Sequence, residues 1–160
     1  MPVYTPHIDY SWAFDRWDIV RSIVNNTAEH QIRDVDPNDK IRSNQYRANA
    51  VLTNFTRLTK VGLTGLVFRK PAEIVLPNEL DYLLDDATGY GFGLSQSLQH
   101  ATGELLVTGR YGLLAEYVQG YGDDSYARIC PYTAENIINW RYEQVGSKYK
   151  LCLLVLREYK

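Results

Sequence analysis

Eight of the eleven glycines in this chain fall between Gly89 and Gly122, and that clustering separates two kinds of pattern. Before it, apolar residues recur at three- and four-residue spacing. After it, short apolar runs alternate with turn signals. Helical periodicity in one part and strand-like runs in the other predict an α+β fold, with N-terminal helices packed on a small mixed or antiparallel sheet. The expected division is a helical segment over residues 1–70 and an α+β segment over 71–160 that ends in a hairpin, the two forming one structural unit. At 160 residues and 45% hydrophobic side chains, the chain is long enough to bury a core.

Within the first segment, Tyr10, Phe14, Trp17, Val20 and Val24 predict an amphipathic helix over Asp9–Asn25, capped by Asp9. The turn-rich run "RDVDPND" follows, and Asp39 is placed to cap a long helix from Lys40 to Gly65. Along that helix Ala48, Leu52, Phe55, Leu58, Gly62 and Leu66 form the expected buried stripe. At about 100° per residue, Arg42, Arg57 and Lys60 fall on the opposite, basic face. Pro71 and Pro77 argue against a regular strand in "LVFRKPAEIVLP".

The second segment predicts a short helix at Asn78–Leu84 and a longer one through Leu94, Leu98, Ala101 and Leu105 that stops at Gly109. Strands are expected at Arg110–Val118 and at Tyr126–Tyr132, joined by the turn "GYGDDS" and ended by Pro131. Thr133 is placed to cap a short helix through Ile138, and Trp140–Val145 with Tyr149–Tyr159 reads as a hairpin. In the last strand both alternating sets are apolar, which predicts a central strand covered by helices.

The stretch "TGYGFGLSQ" (Thr88–Gln96) offers three closely spaced glycines, the one hint of a phosphate loop. A dinucleotide fingerprint needs a preceding strand and G-x-G-x-x-G spacing; here the spacing is G-x-G-x-G, "NELDYLLDDAT" precedes it, and Asp85 and Asp86 repel phosphate. The expectation is a glycine-permitted turn into a helix. "DVDPND" begins like a calcium loop, but Asp39 stands where glycine is required and Gln45 where the closing glutamate belongs. His7, His30 and His100 make no metal-binding pair, with His100 read as a packed or surface residue. "GLSQS" is no nucleophile elbow, and Asp123–Asp124 reads as solvated turn acids. Cys130 and Cys152 are read as buried thiols. These readings predict neither a catalytic site nor a cofactor nor a metal.

The net charge of −2 hides a segregation. Seven basic residues and no acidic one lie between Lys40 and Lys70, while Ala72–Asp86 carries five acids and no base. The basic face at Arg42, Arg57 and Lys60 is therefore the candidate subunit-interface or polyanion-facing surface. The N-terminus lacks the pattern of a signal peptide and no apolar run approaches a membrane span, which predicts a soluble intracellular protein without membrane contact.

Four pieces in order, "WDIVRSIV" (Trp17–Val24), "QYRANAVLTNFTRLTKVGLTGLVFRKP" (Gln45–Pro71), "GLSQSLQHATGELLVTGRYGLLAEY" (Gly93–Tyr117), and "RICPYTAENIINWRYE" with "LLVLREY" (Arg128–Tyr159), resemble the N-terminal part of the tailed-bacteriophage portal protein family. The resemblance spans most of the chain and departs from the family pattern at Ser22 (an acid expected), Asn26 (glycine expected) and Cys130 (arginine more usual). It implies a structural head-tail connector protein, not an enzyme: a homo-oligomeric ring, usually dodecameric, at the capsid vertex. Double-stranded DNA passes through such rings; terminase, head-tail adaptor and capsid protein are their partners, and they reside in the virion and, during assembly, in the host cytoplasm. Portals are longer, so the resemblance implies either the wing portion of a portal or a trimmed relative. The alternative is another head-tail adaptor or virion structural protein.

Overall fold

The computed structural model of the chain describes residues 2, 4–28, 32–51, 53–119 and 125–158. The expected turn acids Asp123 and Asp124, the histidine His30 and the stripe residue Leu52 lie outside the described residues. Helix α1 runs Ile8–Val24, α2 Lys40–Asn49, α3 Phe55–Val67 and α4 Leu94–Thr108, with a 3-10 helix at Asn78–Leu84 before α4. Strands β1 (Tyr111–Val118) and β2 (Tyr126–Thr133) form one antiparallel pair; β3 (Ile137–Val145) and β4 (Lys148–Leu156) form another. The fold is α+β, its strands arranged as two separate hairpins. Helices α1 and α3 pack on α4, and α1 also meets β3, so contacts cross the chain position near Lys70.

Several local signals act as read. The Asp39 carboxylate accepts the Arg42 amide at 2.9 Å and starts α2. Gly109 closes α4 in the left-handed conformation, φ 69°. The cap of α1, however, is His7, whose Nδ1 accepts the Asp9 amide at 3.2 Å.

The long helix expected from Lys40 to Gly65 is two helices. Ala50 is extended, ψ 129°, and Asn54 opens α3 by accepting the Arg57 amide at 2.8 Å. The Asn54 amide also donates to the Asn26 side chain at 2.6 Å and to the Ile23 carbonyl, tying the start of α3 to the end of α1. A side chain that satisfies two ends at once outcompetes the single hydrogen bond of a continuous helix.

Pro131 does not end β2; it pairs opposite Leu113, and the strand continues to Thr133. In a two-stranded ribbon every strand is an edge, so the missing proline N–H faces outward at no cost. The helix expected from Thr133 through Ile138 is three residues of 3-10 helix, Ala134–Asn136, after which Ile137 begins β3.

Strand β4 is not a covered central strand. Among the described residues its one strand partner is β3, and Leu151 is 47% exposed. The register slips between Arg141 and Tyr142, where β4 carries one extra residue, Cys152. That bulge resets the alternation, so the two apolar sets in the sequence are not two continuous faces.

The core sits where α1 meets the start of β3. Tyr10, Trp17 and Ala134 are buried against Ala13 and Trp140. The Tyr10 hydroxyl donates to the Glu135 carbonyl at 3.0 Å, and Trp17 Nε1 donates to the Thr108 carbonyl at 2.9 Å.

Candidate functional site

The glycine loop turns its amides on the chain itself. Gly89 and Gly91 adopt φ 79° and 83°, conformations that favour glycine. The Asp86 carboxylate accepts the Thr88 amide at 3.2 Å and the Gly89 amide at 2.7 Å. Against the desolvation that raises it, the amides of Gly91, Gly89, Thr88 and Tyr90 hold this carboxyl below its ordinary range. A loop that cradles its own anion offers those amides to no phosphate.

The remaining chemical candidates are also engaged internally. Arg47 pairs with Asp34, Asp36 accepts the Asn38 amide at 2.9 Å, and Ser43 bonds the Asp36 backbone, so the calcium-like loop is a turn stapled to α2. His100 Nδ1 lies 3.0 Å from the Tyr111 hydroxyl. The expectation of two buried thiols does not hold: Cys130 is half-buried and Cys152 exposed. Burial pushes the Cys130 thiol up, and it donates to Glu116 at 3.2 Å, a carboxylate already paired with Arg128 at 2.7 Å. A thiol held protonated beside a carboxylate is a poor nucleophile.

Two clusters dominate the interior, and periodicity alone signals neither. Arg21 of α1 reaches Glu104 of α4 at 2.7 Å and pairs with Glu135 ahead of β3, while Lys60 of α3 lies 3.9 Å from Glu104. The hydrogen bonds that Arg21 donates to Glu135, opposed by burial and helped by Glu104, raise the Arg21 pKa further above its ordinary value. Beside this network Arg110 stacks over Trp140 at 4.1 Å and over Trp17 at 5.3 Å, with His7 stacked on Trp140 at 4.1 Å. Burial lowers the Arg110 pKa, and its buried Nη1 has no hydrogen-bond partner among the described residues. The two aromatic faces attract this charge, and the Asp9 carboxylate acts on it as well.

The basic face read from the sequence does not exist as one surface. Arg42 lies exposed on α2, across the break, and Arg57 lies exposed on α3. Lys60 turns inward to Glu104, and its side chain lies against Gly103 of α4. Helix α3 is thereby inverted relative to expectation. Its polar side, with Lys60 and Thr64, faces α4, and no residue of α3 is buried. Its apolar stripe points outward: Phe55 is 70% exposed, Leu58 64% and Leu66 67%. What this arrangement leaves exposed is an apolar helix face.

No helix among the described residues is long and apolar enough to cross a membrane. Among known proteins, no family model matches the chain, and no curated protein matches it.

Proposed function

We propose that this chain is a structural component of a tailed-phage portal, a head-tail connector that assembles as a ring at the capsid vertex. The observation that carries the reading is a convergence. Trp17 and Arg21 come from the first piece of the portal resemblance, Glu104 and Arg110 from the third, and Glu135 and Trp140 from the fourth, and all six meet in the two interior clusters. Segments that share a resemblance and build one core support a common scaffold. Asn26 adds to this, since it stands where the family pattern has glycine and adopts φ 59°, a conformation that favours glycine.

A ring subunit needs two different complementary patches, because a head-to-tail contact closes only when unlike surfaces meet. An outward apolar helix and an acidic segment elsewhere on the chain supply unlike surfaces. Capsid protein, adaptor, terminase and the DNA in the channel are the partners this role entails.

Negative-stain electron microscopy of the purified chain, with light scattering for mass, tests the reading. Closed rings with a central opening are expected. Open filaments, or assemblies without a central opening, would overturn it.

A further inference from the structure

The outward face of α3 is a mismatch between chemistry and surroundings. Three large apolar side chains, Phe55, Leu58 and Leu66, stand in water on one stripe while the polar side of the same helix is packed. An exposed apolar stripe of this kind marks an interaction surface. Gly62 and Gly65 lie in the same helix, and a methyl group added at either would meet nothing within 4 Å. Each glycine in a helix interior costs about 1 kcal/mol relative to alanine, with no close packing inside this chain to account for it. Close approach by another backbone would account for it.

Charge selects the occupant. Arg69 and Lys70 follow the C-terminal end of the stripe; both are exposed, and there is no acidic residue from Lys40 to Lys70. The complementary surface therefore carries acids around apolar residues. One segment of this chain has that composition. Between Glu73 and Asp85, Glu73, Glu79, Asp81 and Asp85 are exposed beside Val75, which is 85% exposed, and Leu84. The segment is held in place, since the Tyr82 hydroxyl donates to the Ala127 carbonyl at 2.9 Å and accepts the Ala127 amide at 3.0 Å. Among the described residues, neither these acids nor Arg69 and Lys70 form an ion pair within the chain.

We infer that the outward face of α3 docks on the acidic Glu73–Asp85 segment of a second copy of this chain, head to tail. The inference rests on the assembly reading above and names its contact. Apolar side chains supply the contact's centre, and the Arg69 and Lys70 rim against Glu79 and Asp81 sets its register and excludes other orientations.

Sedimentation velocity over a concentration series, combined with electron microscopy, tests the contact. Leu58→Asp, an exposed site whose change leaves the monomer fold intact by circular dichroism, weakens association about 30-fold or more, as expected for a central interface residue. Arg69→Glu alone weakens it, Asp81→Lys alone weakens it, and the double variant restores it, because both charges are then inverted together. Association indifferent to all of these variants would overturn the docking and leave the ring reading standing. Association that the variants disperse but that grows as open filaments would overturn the ring and leave the docking standing. A wild-type chain that stays monomeric at every concentration would overturn the docking outright.

Discussion

Glu104 is the residue on which the helical part turns. It is a buried carboxylate on α4, 7% exposed, and a buried charge is tolerated only when opposite charge and hydrogen bonds meet it. Arg21 and Lys60 do so from two different helices. Replacing Arg21 by methionine leaves Glu104 with the longer Lys60 contact and Glu135 with no guanidinium, so we expect a loss of about 3 kcal/mol in urea unfolding. A loss under about 1 kcal/mol would mean that Lys60 and water suffice. Glu135 sets a pH signature. Burial raises its pKa, but the Arg21 hydrogen bonds overcome this and hold it below the ordinary 4.5. A carboxyl depressed in the folded state contributes its full stability above the unfolded pKa and loses it as pH falls through the folded value. Wild-type stability should therefore drop on going from about pH 6 to below about pH 4, and Glu135→Gln should remove part of that dependence. A variant with an unchanged slope would show that other carboxylates carry it.

At the scale of elements, the glycines of two helices make opposite predictions. Gly109 ends α4 at φ 69°, where a side chain is strained, so Gly109→Ala should cost about 1 kcal/mol. Gly62 sits within α3 with open space around it, so Gly62→Ala should stabilise the monomer by up to about 1 kcal/mol while weakening self-association. Thermal melts at low concentration read the first effect and sedimentation the second. A Gly62→Ala variant that gains stability and associates as tightly as wild type would mean that nothing approaches this face closely. The elements also divide by how legible they were. Helix α4 was readable because its stop is chemical, a glycine after the last apolar turn. The break between α2 and α3 was not, because Asn54 acts through Asn26 and Ile23 of another helix, and no local pattern encodes that partner. Strand β4 misled for a related reason: a one-residue bulge at Cys152 defeats a rule built on strict alternation.

Taken whole, the molecule buries little of α3 and of the outer faces of its hairpins, and small two-stranded ribbons are marginal without something packed on them. A protein stabilised by association binds its own copies only when folded, so mass action links its melting temperature to concentration. We expect the melting temperature to rise as the chain is concentrated, and the rise to vanish in Leu58→Asp. A melting temperature independent of concentration in the wild type would show that the exposed faces remain uncovered under those conditions.

The amino-acid sequence alone determined the features whose causes are local. These are the apolar spacing of α1 and α4, the caps at Asp39 and Gly109, the glycines of the Thr88–Gly93 turn, and the α+β class that follows from where the periodicity changes. It placed Arg42, Arg57 and Lys60 on one face because periodicity gives the phase of a helix, not the direction in which that phase points. Direction was decided by tertiary structure. A buried Glu104 about forty residues away drew Lys60 inward, the Asn54 cap reset the phase after α2, and the apolar stripe of α3 was left facing out. Which side of α3 meets α4 depends on Glu104 and Gly103, neighbours that the local sequence of α3 does not contain.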